Sequence, residues 1–418
     1  MGKTAVLSGP ASDLCRSLFA RYYRETPLPA PRHPEMREYA LFPFDAPGMR
    51  RHMGFPSPER LRETLGSQVP RHVYYSSAYY ARPDHPSMKL KGWQGADVIF
   101  DLDADHLRKA ETLDYPAQLR LVRDRFRLLL DEYLFGDFGL DEREVTLAFS
   151  GGRGYHAHIH DAAYLGLRSD ERRELVEFVM GIGFNPALEA THEEGVEGTA
   201  PGPESGPYGE PKASGRTGRP LPTHRLYGPT DPGWRGRFAR SLYRFLARWE
   251  KMPAEAVAQE IVSTAGLPPP RARAMARALV EEGMARRIRE SGSLEVLTPS
   301  LRKEFLSAVA STVAVEVQGE TDAPVTTDIH RLIRLPGSLH GGTGFRVRPL
   351  ARGELDGFDP WTDALFPSVP GSSLRVRIRA PVDYPMDGGL RAAAGETVDL
   401  SEAAALFLLL RGEAELPG

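Results

Sequence analysis

With 418 residues the chain can bury a large core and is long enough for two or three domains, or for one elaborated domain. Its 41% hydrophobic and 26% charged residues are ordinary for a soluble globular protein, and a net charge of −3 argues against a surface coated in positive charge for non-specific nucleic-acid binding, though not against a local basic groove. The single cysteine, Cys15, excludes internal disulfides and any cysteine-built zinc or iron–sulfur cage; no apolar run approaches the roughly 20 residues of a membrane span and the N-terminus has no signal-peptide pattern, so a cytoplasmic setting without membrane contact is expected.

Leu14, Leu18, Phe19 and Tyr22, near helical spacing, predict an N-terminal helix capped by Ser12 or Asp13. Short β-type runs follow at about 37–44, 72–80 and 96–102. Residues 117–135 form an amphipathic helix carrying Leu119, Val122, Phe126, Leu129 and Leu130, closed by Gly136. Two strands, 145–149 and 155–159, flank a turn at Ser150, and 169–182 is again helical. The stretch 195–235 is rich in Gly, Pro, Ser and charge and reads as a long surface loop or partly disordered connection. Residues 236–318 alternate helical stretches with proline breaks at 253 and 268–270, as an inserted helical subdomain would. Within it, Arg271, Arg273, Arg277, Arg286, Arg287 and Arg289 form either a nucleic-acid contact surface or the solvated face of an Arg-rich segment. Strand signals return at about 325–335, 344–350 and 374–380, and 401–411 is a buried closing helix with a serine cap. No internal repeat is present. Strands on both sides of a helical insertion imply one mixed α/β (α+β) core built from residues 1–195 and 319–418, with a flexible loop at 196–235 and an insertion at 236–318.

Two segments carry chemistry. Val98-Ile-Phe-Asp-Leu-Asp-Ala-Asp105 is an apolar run ending in alternate carboxylates. In a strand Asp101 and Asp103 share a face, roughly 6.5–7 Å apart at Cα, which suits oxygen ligation of one or two hard divalent cations. Asp105 is displaced from the strand end and reads as a helix cap. Ser150-Gly-Gly-Arg-Gly-Tyr-His156 joins two strands through a turn that exposes backbone N–H groups, a hydroxyl and the Arg153 guanidinium, the donors a polyphosphate needs. His156, His158 and His160 alternate and share a face; zinc there would need further ligands and has no cysteine to use, so His158 and His160 read as packed side chains. Carboxylates for metal beside donors for phosphate imply chemistry on a nucleotide.

A third block, running from Thr321-Asp322-Ala-Pro-Val-Thr-Thr-Asp328 through Arg334-Leu-Pro-Gly-Ser-Leu-His340-Gly-Gly-Thr-Gly344, makes a family likeness specific. With Phe-Asp-Leu-Asp103 and the Ser-Gly-Gly-Arg-Gly-Tyr-His156 turn, in this order, the chain resembles the small catalytic subunit of archaeal and eukaryotic DNA primase. Arg37-Glu38-Tyr39, Tyr74-Tyr75-Ser76-Ser77-Ala78-Tyr79-Tyr80, Lys91-Gly92-Trp93 and the 407–415 segment fit the same pattern. The resemblance implies template-dependent two-metal nucleotidyl transfer that makes short primers on single-stranded DNA. It implies Mg²⁺ or Mn²⁺ held by Asp101, Asp103 and a third acid, with Ser150, Arg153 and His156 on the triphosphate. Arg334, His340 and Arg51 match positions the family uses near the nucleotide, a salt-bridge role for Arg51 or Arg334 being the alternative. Tyr75 reads as a core aromatic, its other reading being a ribose neighbour. Spacing leaves Asp322 and Asp328 both open as the third acid; the family's distance to the late histidine implies Asp322.

The implied partners are template DNA, nucleoside triphosphates and a large primase subunit carrying the iron–sulfur domain. A gap-filling or repair polymerase of the same superfamily is the alternative activity, and a noncatalytic scaffold a further one; the 407–415 segment favours the replicative subunit. Two departures stand out. No cysteine lies in 104–149, where family members commonly carry a zinc knuckle, so no structural zinc is expected. Gly342 stands where many archaeal members have Lys, leaving the triphosphate more dependent on Arg153 and Arg334.

Overall fold

The computed structural model describes residues 9–44, 46, 48–107, 110–185, 191–194, 223–317 and 319–417. The chain divides into two compact units, one of residues 1–180 with 319–418 and one of residues 181–318. Among the described residues every strand pairing is antiparallel and no helix is long and apolar enough to cross a membrane.

In chain order the strands of the first unit that shape the site are β1 (Tyr39–Phe42), β2 (Arg50–Met53), β3 (His72–Ser76), β4 (Ala78–Tyr80), β5 (Trp93–Ala96), β6 (Val98–Asp103), β7 (Val145–Phe149) and β8 (Gly154–Ile159). The late segment returns as β9 (Leu332–Arg334) and β10 (Arg348–Leu350). They build two four-stranded sheets, ordered β9-β3-β1-β2 and β10-β7-β8-β6. Segments distant in sequence thus become sheet neighbours: Arg334 pairs with Tyr74, and Arg348 with Phe149.

Strand β8 is buried along its whole length. Tyr155, on one face, stacks on Phe126 of the helix Tyr115–Leu128 at 5.3 Å between ring centroids. His158, on the other, lies parallel to Tyr75 of β3 at 6.2 Å, its Nδ1 3.3 Å from the Tyr75 hydroxyl. Tyr75 is therefore a core contact between the sheets. The helix Glu402–Arg411 is capped by Ser401, whose hydroxyl accepts from Ala404 N at 3.2 Å. Its Phe407 lies 5.2 Å from the Phe345 ring, and the left-handed Gly344 backbone (φ 73°) passes so close that a Cβ there would fall 2.9 Å from Leu406.

A buried ionic hub joins β4, β5 and β8. The Asp97 carboxylate accepts from Arg37 Nη2 at 2.7 Å and Tyr79 Oη at 2.6 Å, and His160 Nδ1 stands 3.0 Å away; Arg172 caps the Ala96 and Asp97 carbonyls at 2.7 and 2.9 Å. His160 and His158 are thus structural neighbours of this hub. Burial pushes the Asp97 carboxyl up, but the His160 hydrogen bond and the Arg37 cation outweigh it and bring it from 3.8 to about 2. A depressed carboxyl stabilises the fold above its unfolded pKa and loses that contribution as pH falls toward the folded one. The expected loss is about 2 kcal/mol in going to strongly acid pH. Asp97→Asn should remove this part of the acid limb and destabilise at neutral pH by about 3–5 kcal/mol, because Arg37 is left buried and unpaired; denaturant titrations of both proteins across pH 2–7 check it.

The second unit is mainly helical: Gly233–Trp249, Ala254–Ala265, Pro269–Val280, Met284–Ser291 and Pro299–Val317. Pro253 and Pro268 serve as helix N-caps and Pro269 opens its helix, where a missing N–H costs nothing. Leu242, Trp249, Val257, Met275, Leu279 and Ile288 build its core. Arg271, Arg273, Arg286 and Arg289 each face a glutamate at 2.9–3.4 Å, as on a solvated, charge-balanced helix surface.

Several expectations are corrected. The first helix starts at Pro10 with Gly9 as N-cap, ahead of Ser12 and Asp13. Residues 323–327 form a helix rather than the start of a strand. In the stretch expected as loop, Thr223–Leu226 is a strand paired with Thr191–Glu194 and a helix begins at Gly233; residues 195–222 lie outside the described residues.

Candidate active site

Strand β6 pairs with β8 so that Asp101 lies opposite His156 and Asp103 opposite Gly154. The two acids, on one face as their spacing predicts, are half-buried at the sheet's end. The late block docks here through its backbone: Asp322 N donates to Asp101 O at 2.8 Å and Thr321 Oγ1 to the same carbonyl at 3.3 Å. Asp322 occupies the N-cap position of the helix Ala323–Thr327, yet its side chain makes no capping hydrogen bond. Asp328 is exposed and spends Oδ1 on His330 N at 2.9 Å.

Burial, reinforced by the Asp103 and Asp322 carboxylates, holds the Asp101 carboxyl up to about 7 against the pull of Arg331 and Arg334. Each acid is otherwise engaged. Asp101 Oδ1 lies 3.5 Å from His156 Nε2, Asp103 Oδ1 accepts from Asp105 N at 3.1 Å, and Asp322 Oδ2 lies 3.6 Å from His106 Nδ1. Among the described residues no three ligating side chains stand together at metal-holding spacing. The donor set itself, three carboxylates whose crowding raises one of them, fits a hard divalent cation, which would draw the acids off these partners.

The turn after β7 is closed by Ser150 N donating to Gly154 O at 2.9 Å. Ser150 Oγ accepts from Gly152 N (3.2 Å) and Gly154 N (3.1 Å), so these amides brace the turn instead of facing outward, while the hydroxyl keeps a proton to donate. Gly151 has φ 74°, and a Cβ there would fall 2.8 Å from His340 Cβ. His340 thus packs directly on the turn, and Thr343 Oγ1 locks the two segments by donating to Gly151 O at 2.6 Å. Arg153 Nη2 stands 2.6 Å from Asp105 Oδ1 and 3.5 Å from Asp103 Oδ1. The cap expected of Asp105 is made by Asp103 instead: Asp103 caps the short helix Ala104–His106, and Asp105 is the ion partner of Arg153.

His156 is buried below Asp101, and its Nδ1 has no hydrogen-bond partner among the described atoms. Burial, with His158, Arg334 and Arg331 nearby, keeps its pKa well below the usual value. Arg334 Nη1 reaches His72 Nδ1 at 2.7 Å and Tyr74 Oη at 3.3 Å, and among the described residues it pairs with no carboxylate. Arg51 stands apart from the other candidates. It lies on β2, three strands from β9 (roughly 14 Å by sheet spacing), with its Nε 3.0 Å from the buried Glu38, as in the salt-bridge alternative. His72, Tyr74, His106 and Thr343 also border the site. None carries a local signal, since each is recruited by contacts with residues far away in sequence.

Where the resemblance implies a zinc knuckle, the chain runs as α-helix Tyr115–Leu128 and continues as π-helix through Leu129–Asp137. Protein purified without added metal is expected to carry no stoichiometric zinc by elemental analysis; one equivalent per chain would overturn this.

Acids from two distant segments thus meet a guanidinium-bearing turn at one sheet end, the arrangement expected of a nucleotidyltransferase. The model of the DNA primase small subunit family matches residues 100–352. The DNA primase small subunit PriS of Methanothrix thermoacetophila is 38% identical over 98% of this chain and 100% of its own length. Those of Methanoregula boonei and Haloarcula marismortui are 35% and 34% identical, over 97% and 96% of this chain and 98% and 97% of their own lengths. The chain belongs to the DNA primase small subunit family.

Proposed function

We propose that this protein catalyses template-dependent nucleotidyl transfer, starting short primers on single-stranded DNA from nucleoside triphosphates. The observation that carries the reading is the docking of Asp322 N on Asp101 O at 2.8 Å, which gathers acids of both distant segments beside the Ser150–Gly154 turn. Asp101, Asp103 and Asp322 would hold Mg²⁺ or Mn²⁺, and the bound cations would supply charge neutralisation and activation of the attacking 3′-hydroxyl. Arg153 leaves Asp105 to grip phosphate oxygens through two N–H groups, and Ser150 donates its free proton beside it. Arg334 and His340 approach from the late block, the guanidinium to balance charge on the departing pyrophosphate and the neutral imidazole to donate a hydrogen bond beside it. Membership of the family supports a large primase subunit as partner and a cytoplasmic setting.

The test is incubation of purified protein with single-stranded template, labelled nucleotides and Mg²⁺ or Mn²⁺, with and without a primer. Products in both reactions support priming. Products only with a primer would reassign the chain to primer extension or gap filling, and no product in either would leave a noncatalytic subunit.

A further inference from the structure

His72 is the joint through which the late block meets the first sheet. It opens β3, and its Nδ1 stands 2.7 Å from Arg334 Nη1 and 3.2 Å from Gly341 N. Both neighbours can only donate, so Nδ1 is the acceptor and the neutral ring carries its proton on Nε2. Burial, with the Arg334 and Arg71 cations close by, favours the same neutral state. The ring meets His340 edge-on, at 5.3 Å and 80°. Gly341 is seated so tightly that a Cβ there would fall 2.9 Å from His72 Nε2 and 2.2 Å from Arg71 Cγ, and Arg71 Nε donates to Gly341 O at 2.7 Å. Tyr74 supplies the second support, its hydroxyl 3.3 Å from Arg334 Nη1 and its ring 5.4 Å from the guanidinium carbon.

We propose that His72 is a positioning residue of the nucleotide site: the Nδ1 lone pair fixes the Arg334 guanidinium and the Gly341 turn as one unit, so that Arg334 and His340 meet the triphosphate already aimed. The proposal rests on the reading of Arg334 and His340 as triphosphate contacts. An arginine is a long, rotamer-rich side chain; with its acceptor lost, it must be ordered by the nucleotide itself, and binding weakens while the chemical step is spared.

Asparagine and glutamine separate this role from simple space filling. Asn places a carbonyl oxygen near the position of Nδ1, whereas Gln places its amide near Nε2. In steady-state primer synthesis on a fixed template, His72→Gln is expected to raise the nucleotide KM about tenfold with kcat within about twofold, as loss of one charge-assisted hydrogen bond predicts. His72→Asn is expected to stay within about threefold of the parent KM, since the acceptor is kept. An unchanged KM in His72→Gln, or an equal loss in His72→Asn and His72→Gln, overturns the proposal. Arg334→Ala separates the underlying reading: an unchanged nucleotide KM there removes the triphosphate role itself, whereas a raised KM with a normal His72→Gln removes only the role of His72.

Discussion

Asp322→Asn is expected to lower primer synthesis by about three orders of magnitude while leaving the fold and single-stranded DNA binding largely intact. The substitution keeps size and backbone, so the Asp322 N–H still reaches Asp101 O, and only the charge that would hold a cation is lost. Asp322 is a partly buried acid at a helix N-cap that it does not itself cap, and its charge is one of the two that push Asp101 up. Asp328 has none of these properties: it is exposed and bonded to His330 N. Asp328→Asn should therefore retain substantial activity. The measurements are primer yield on a single-stranded template, fluorescence anisotropy of labelled DNA and a thermal melt. The reverse pattern between the two mutants would move the third acid six residues along the chain.

Arg153→Ala is expected to lower kcat/KM for nucleotide by about 100-fold, the loss of a charge-assisted pair of hydrogen bonds, and Arg153→Lys should recover little of it. Arg153 is the side-chain cation inside the Ser150–Gly154 turn, and its present partners, Asp105 at 2.6 Å and Asp103 at 3.5 Å, tie it to the acids across the strand end. Lysine could restore a point charge toward Asp105 but not the fork that grips two phosphate oxygens. Steady-state kinetics with varied nucleotide distinguish the outcomes; near-normal values for Arg153→Ala would make the turn merely structural.

What the sequence determined by itself is local. Alternation along 98–103 put Asp101 and Asp103 on one face, and Ser-Gly-Gly-Arg-Gly between two β-type runs defined a turn, although two of the amides expected to face outward are taken by its own serine. Ser401 announced its helix for the same reason: a cap bonds within three residues. The order of the motifs along the chain was enough for the family.

The tertiary structure decided whatever depends on partners distant in the chain. Strand β2 carries no local signal, because Arg50 and Arg51 are exposed, His52 and Met53 half-buried, and no apolar face alternates along it. Residues 323–327 turned helical despite their valine and threonines, in a segment whose preceding backbone is docked on Asp101 O. Whether Asp103 or Asp105 caps was settled by Arg153, which reaches across from the neighbouring hairpin and claims Asp105. His72 is the extreme case, joined to Arg334 across 262 residues. Periodicity and capping report hydrogen bonds and burial within a few residues, whereas such a contact exists only once two sheets have closed around it.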